Sequence, residues 1–144
     1  MDAIDLKILD QLSYDSKITL QRLSEHIGLS PSPLQARVKK LEKEGYIRGY
    51  AARLDYTKIG QDHIAFVQVT LSDTRANALA DFNTAVHQLK SIEQCHMIAG
   101  SFDYLLKVRT RDIRTYRTEL AEKISSLPHV ASTSTFVSME TVRE

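Results

Sequence analysis

Gly28-Leu29-Ser30-Pro31-Ser32-Pro33-Leu34-Gln35-Ala36-Arg37-Val38-Lys39-Lys40-Leu41 decides how the first third of the chain folds. Gly28 tolerates the positive φ that ends one helix and turns the chain. Ser30 suits an N-cap, and Pro31 falls at the first helical position, where its missing N–H costs nothing. Leu34, Val38 and Leu41 recur at i, i+4 and i+7 and form one apolar stripe. Ser32, Ala36, Lys39, Lys40 and Lys43 lie on roughly the opposite side. A short capped helix with small polar residues at its start and a cationic outer face suits the DNA major groove, where base edges are read near the helix start and phosphates are taken by Lys and Arg. A surface helix with solvated lysines has the same composition, and the preceding residues separate the two readings.

Upstream, Asp2-Ala3-Ile4-Asp5 opens a first helix, with Asp2 as cap and both acids at the positive end of the helix dipole. Ile4, Ile8, Leu9 and Leu12 carry its apolar face to about Ser13. Tyr14 to Lys17 reads as a connection, and Thr19 caps a second helix with Leu20, Leu23 and Ile27 inward. Three short helices with a glycine turn before the third outline a helix-turn-helix. Downstream, Gly45 ends the third helix. Tyr46 to Asp55, carrying Arg48 and Arg53, predicts a small hairpin or paired strand where a winged helix places its wing. Leu54 to Asp62 has no clear period and is expected to link a first domain over 1–53 to a second over 63–144.

In the second half the period changes. His63 to Leu71 alternates, with Ala65, Val67, Val69 and Leu71 on one face. Leu79, Phe82, Val86 and Leu89 predict a helix over about 77–89. Ile92 to Ala99 and Tyr104 to Thr110 read as strands flanking the turn Gly100-Ser101-Phe102-Asp103. Ile113, Tyr116, Leu120, Ile124 and Leu127 predict a helix stopped by Pro128, and Val130 to Met139 a last strand. The order β-α-β-β-α-β is that of a ferredoxin-like fold, so the chain is α+β: a winged helix-turn-helix followed by an antiparallel sheet with helices on one face. The bare sheet face predicts self-association.

Composition narrows the class. The chain has 144 residues, and its net charge of +1 is unevenly spread. Residues 1–29 hold five acids and three bases, whereas residues 30–53 hold six bases (Arg37, Lys39, Lys40, Lys43, Arg48, Arg53) and only Glu42 and Glu44 as acids. A local basic patch of this kind marks a polyanion contact. Cys95, the one cysteine, has no partner for an internal disulfide. The start lacks the basic and apolar regions of a signal peptide, and no apolar run approaches the roughly 18 residues that span a bilayer. A soluble cytoplasmic protein without membrane contact is expected.

With these words in this order, the sequence resembles the Lrp/AsnC (feast/famine) family of transcription regulators over essentially its whole length, most closely the leucine-responsive branch. The words are Asp5-Leu6-Lys7-Ile8-Leu9, Gly28 to Pro33, Arg37-Val38-Lys39-Lys40-Leu41-Glu42, Gly45-Tyr46-Ile47-Arg48-Gly49-Tyr50, Gln94-Cys95-His96, Gly100 to Lys107 and Leu127-Pro128. The resemblance implies a sequence-specific binder of double-stranded DNA, with dimers that assemble further, often to octamers. It also implies modulation by a small amino acid, leucine-like, and control of amino-acid metabolism genes. The family's recognition helix falls on Ser30 to Lys43, with Ser32 and Gln35 for base contacts and Arg37, Lys39, Lys40 and Lys43 mainly for phosphates. Arg48 and Arg53 are wing candidates. Arg37 lies on the flank of the apolar stripe, so pairing with Glu42 or an acid of another helix is the competing role.

The family's effector site falls on Gly100 to Asp103. An amino-acid ammonium wants a carboxylate such as Asp103. Its carboxylate wants backbone N–H groups, which Gly100 leaves open to close approach. Ser101, Thr133 and Thr135 offer hydroxyls, and Met97 and Phe136 apolar contact. Gly-x-x-Asp is also ordinary turn chemistry between strands. The chain departs from relatives in starting directly at the first helix, in stopping at Glu144 soon after the last strand, and in carrying Ser101 where the leucine-responsive branch often has an acid.

Two other readings are weaker. An enzyme needs a nucleophile with its base, paired carboxylates or a metal set. Cys95 and His96 are neighbours on a strand, point to opposite faces and cannot share a metal, so both read as packing residues. His26, His63, His87 and His129 lack ligand spacing, and no phosphate-cradling glycine loop exists. No catalytic residue, metal or cofactor is expected beyond the amino-acid effector. A helix-turn-helix used only for protein contact fits the basic helix poorly, and the salt dependence of DNA binding separates it from a DNA binder.

Overall fold

Asp2 starts the chain's first element. In the computed structural model, which describes residues 1–144, the Asp2 carboxylate accepts the backbone N–H groups of Ile4 and Asp5 at 2.9 Å each, and the Asp5 carboxylate accepts that of Asp2 at 3.0 Å. This reciprocal capping box opens α1, Ala3–Tyr14. Thr19 caps α2, Leu20–Ile27, through a 3.3 Å bond from the Arg22 N–H. Gly28 takes φ +78° and receives α2's last turn, after which α3 runs from Pro31 to Lys43. Ser30 has N-cap backbone, but its side chain makes no cap bond. The reason is local: Pro33 occupies the position whose N–H a capping hydroxyl commonly takes.

Ile8, Leu23, Leu34 and Leu41 form the core of this first compact unit, Met1–Arg53, one or two from each helix. Ile4, Leu12, Ile27, Val38 and Ile47 pack around them. The predicted hairpin over 46–55 is a correction, because no residue there is in a strand. Ile47 is drawn onto the helical core, its N–H reaching the Leu41 carbonyl at 3.2 Å. Gly49 takes φ +153°, and the Tyr50 hydroxyl donates to Glu42 on α3 at 2.8 Å. A ladder needs a second strand to take its N–H groups, and this segment has only helices beside it. It is an extended wing segment.

The second unit, Leu54–Glu144, is one antiparallel sheet ordered β2-β3-β1-β4. Its strands are β1 His63–Leu71, β2 Ile92–Met97, β3 Tyr104–Thr110 and β4 Val130–Val137. The last residues assigned to β2 and β4 on sequence fall outside the ladder. Ala65, Val67, Val69 and Leu71 face Phe82 and Val86 of α4, Ala76–Val86, and Tyr116 of α5, Ile113–Glu119, in one buried cluster. Phe82 and Tyr104 rings lie 4.4 Å apart, and the Tyr104 hydroxyl donates to Asn83 at 2.8 Å. The α-helix ends earlier than predicted. Leu120–Ile124 continues as a π-turn whose wider loop closes from the Ser125 N–H to the Leu120 carbonyl at 2.9 Å, with Ile124 buried. The opposite sheet face carries Ile64, Phe66, Lys107, Arg109 and Phe136, by register with β1. Residues 54–62 form hydrogen-bonded turns and lay the Tyr56 ring on Arg109.

Candidate DNA-binding helix and effector turn

Burial sorts α3 into faces. Leu34 and Leu41 are buried, while Ser32, Gln35, Lys39, Lys40 and Lys43 are exposed, as is Ser30 at its start. Lys39 and Lys43 form no ion pair, and Lys40 meets Glu44 at 3.9 Å across open solvent. Such a pair is weak and readily exchanged for a phosphate. Arg37 is different. Its Nη1 sits 2.7 Å from both Asp2 and Asp5, so the guanidinium ties α3 to the cap of α1. This is the pairing with an acid of another helix, and it removes Arg37 from the outward face. The backbone N–H of Asp5 and the Arg37 guanidinium hold the Asp2 carboxyl below its usual range. The Asp2 N–H and Arg37 do the same for Asp5. Arg48 and Arg53 are exposed on the wing segment. Arg22 is exposed on α2.

The turn between β2 and β3 has its own economy of hydrogen bonds. The Ile98 N–H donates to the Asp103 carbonyl, and the Asp103 N–H to the Val69 carbonyl, both at 2.9 Å. The N–H groups of Ala99, Gly100, Ser101 and Phe102 donate to nothing within the chain. Four successive free amides make a loop suited to a carboxylate. Asp103 is partly committed, because its Oδ2 accepts the Leu71 N–H at 2.7 Å. This bond serves β1 where its register to β4 shifts, between Thr70 and Leu71. Its other oxygen, Oδ1, accepts no hydrogen bond within the chain.

The remaining predicted effector residues are not all brought together. Thr133 pairs with Val69, so it stands on the helix-covered face, in the row that ends at the turn. Thr135 is on the same face, where its hydroxyl bonds Tyr116 of α5. Phe136 pairs with Phe66 and lies on the opposite face, 55 % exposed, so it cannot share a pocket with the two threonines. Period-two alternation separates them, and adjacent strand residues never share a face. Met97 is exposed at the β2 edge beside the turn. Cys95 packs on the core, and burial pushes its thiol up, but His96 is exposed, a correction to its reading as a packing residue.

A trihelical unit presenting a cationic third helix, followed by an antiparallel-sheet unit with an open amide loop, defines a class: DNA binders with a small-ligand domain. Comparison with known proteins makes the class specific. Residues 1–48 match a winged helix-turn-helix DNA-binding domain, and residues 64–144 match the Lrp/AsnC ligand-binding domain. The chain is 59 % identical over its full length to a proline dehydrogenase transcriptional activator of Rhizobium radiobacter, covering 92 % of that protein. It is 42 % identical to the leucine-responsive regulatory protein of Escherichia coli K12, covering all of this chain and 88 % of the relative. Among solved structures, a Neisseria meningitidis transcriptional regulator in complex with L-Met superposes with a TM-score of 0.91 at 28 % identity, over 100 % of this chain and 93 % of that one. An AsnC family regulator from Agrobacterium tumefaciens gives 0.92 at 29 %, over 100 % and 94 %. The chain belongs to the Lrp/AsnC family: it is a transcriptional regulator with a DNA-binding helix-turn-helix and an amino-acid-binding domain. The family consists of regulators, not enzymes.

Proposed function

We propose that α3 enters the major groove with Ser32 and Gln35 toward base edges and Lys39, Lys40 and Lys43 toward phosphates, with Ser30 at the helix start and Arg48 on the wing segment adding backbone contacts. The observation that carries this reading is the outward face of α3, where Lys39 and Lys43 are exposed and unpaired beside a helix start of small polar residues. Residues 1–53 contact DNA and 63–144 hold the effector. Residues 54–62 link them, anchored on the second unit by Tyr56 and by the 3.2 Å bond from Arg109 to the Gln61 carbonyl. Two copies placed one helical turn apart read a roughly palindromic operator in the cytoplasm.

The effector is a small amino acid at the turn, its carboxylate on the free amides of Ala99 to Phe102 and its ammonium on the open oxygen of Asp103. Ser101 and Thr133 border that place, and Met97 supplies apolar contact. Leucine is the first candidate. Methionine, bound by the Neisseria regulator, and proline, suggested by the names of the relatives at 59 % and 47 % identity, stand beside it. Those names also support activation of a proline dehydrogenase gene. Exposed Phe66 and Phe136 on the bare sheet face support association of copies, to dimers and on to octamers.

A salt titration of operator binding tests the first part. Lys39→Ala should weaken binding across sequences and lower the slope of log affinity against log salt by about one. An unchanged slope would show that α3 faces elsewhere. Light scattering with and without leucine, methionine and proline tests the second. A change of mass names the effector, and a fixed mass makes the sheet unit a scaffold.

A further inference from the structure

The flank of α3 that carries Gln35 and Lys39 also carries an acid. Gln35, Lys39 and Glu42 stand at i, i+4 and i+7 in one row, all exposed. They line a single cleft together with Val38 of the same helix, Leu23 of α2 and Tyr50 of the wing segment. A carboxylate three residues beyond Lys39 is within reach of its ammonium, and a Lys–Glu pair at that spacing forms on many exposed helices. Here it does not form. Lys39 makes no ion pair, and the one hydrogen bond of the Glu42 side chain is accepted from the Tyr50 hydroxyl at 2.8 Å. The backbone brings that hydroxyl into place. The Ile47 N–H is held on the Leu41 carbonyl at 3.2 Å, and Gly49 at φ +153° turns the wing segment back over α3.

Two donors therefore compete for one carboxylate. An exposed Lys–Glu pair is worth little, because water screens it and two long side chains must be ordered to make it. A hydroxyl that donates to an ionised carboxylate makes a stronger, charge-assisted bond, and a tyrosine has fewer torsions to fix than a lysine. Glu42 stays with the wing segment for that reason. Burial and the bond to Glu42 push the Tyr50 phenol up, so its proton is in place at neutral pH. We propose that Tyr50 is a positioning residue for DNA binding: its hydroxyl holds the Glu42 carboxylate on the wing segment and leaves the Lys39 ammonium to a DNA phosphate. The inference rests on Lys39 meeting phosphate, as proposed for α3. Without the hydroxyl, Glu42 turns to Lys39, and one cation of each α3 is neutralised within the protein before DNA arrives. Fewer counterions are then released on binding.

The test is a mutant cycle on the full chain. A labelled duplex of mixed sequence is the probe, since phosphate contacts do not depend on sequence. Fluorescence anisotropy over about 50–200 mM salt gives both affinity and salt slope. Tyr50→Phe should bind about threefold more weakly than wild type, with a shallower slope, as a weak i,i+3 pair formed on each of two bound helices would cause. Added to Glu42→Gln, or to Lys39→Ala, the same change should alter neither value. Wild-type binding by Tyr50→Phe overturns the proposal. So does a weakening that persists beside Glu42→Gln, which would give Tyr50 a DNA contact of its own or a purely structural role. If Tyr50→Phe is silent while Lys39→Ala weakens binding, Lys39 still meets phosphate and only the positioning role falls; if Lys39→Ala is silent, both fall. A reading without DNA comes from the phenol itself. Its titration, followed through the Tyr50 ring signals by NMR, should move to lower pH in Glu42→Gln, and an unmoved titration also overturns the proposal.

Discussion

Arg37 shows how one side chain serves the fold instead of the site. Its pairing with Asp2 and Asp5 joins the start of α1 to the middle of α3, which fixes the direction in which α3 presents its outer face. Both carboxyls are held below their usual values, so the sign of the pH effect follows. A carboxylate depressed in the folded state contributes stability that is present above its unfolded value, near 3.8, and is lost as pH falls through the lower folded value. Arg37→Met should therefore lower the unfolding temperature at pH 7, and its deficit against wild type should shrink below about pH 4. A deficit of constant size across that range would mean the pair does not stabilise the fold. Gly28→Ala meets open space around the new methyl group, but φ is +78°. It should cost about 1–2 kcal/mol, read from denaturant midpoints. Asp103 has two separable duties. Asp103→Asn keeps an acceptor for the Leu71 N–H and should retain stability while the amino-acid response falls. Asp103→Ala should lose the response and about 1–3 kcal/mol as well, because a buried N–H is left unpaired. If Asp103→Asn responds to amino acid as wild type does, its carboxylate is not an effector ligand.

Among the elements, α3 carries both the core stripe and the DNA face. Leu34 is fully buried between the helices, so Leu34→Ala should cost about 2–5 kcal/mol in thermal or denaturant unfolding, with loss of DNA binding following the loss of fold. The apolar stripe, the glycine turn and the outward lysines of α3 were all legible, because helical period and backbone chirality act within a few residues. The wing was not. Tyr46 to Asp55 has the residues of a strand, yet strand pairing depends on a neighbour that local sequence does not specify. Tyr50 was instead drawn to Glu42. The second helix of the sheet unit shows the same limit, since apolar spacing of three and four residues fits an α-turn and a π-turn equally. The β1 alternation was read correctly at every core position, Ala65 to Leu71, because period two is the most local signal a half-covered sheet produces.

For the whole molecule, two compact units divide the labour of a regulator: Met1–Arg53 with the basic helix, and Leu54–Glu144 with the amide loop. A ligand bound in the second alters transcription only through a difference in its affinity for two assemblies or conformations. Binding of the effector should therefore change operator affinity by the same factor by which operator changes effector affinity, and the two titrations together measure the coupling.

The order of elements, the helix-turn-helix, the sheet topology and the family were all present in the residues, since capping, periodicity and motif spacing are properties of short stretches. The partners of charged side chains were not. Arg37 lies 32 and 35 positions from its two acids, and Glu144 lies 35 and 37 from Arg109 and Lys107, the cations it pairs with. Nor does a list of plausible ligand residues say that the Thr135 hydroxyl is taken by Tyr116, 19 positions away on α5. Such assignments rest on packing between segments distant in the chain, where geometry and desolvation decide which of several available partners each charge or hydroxyl receives.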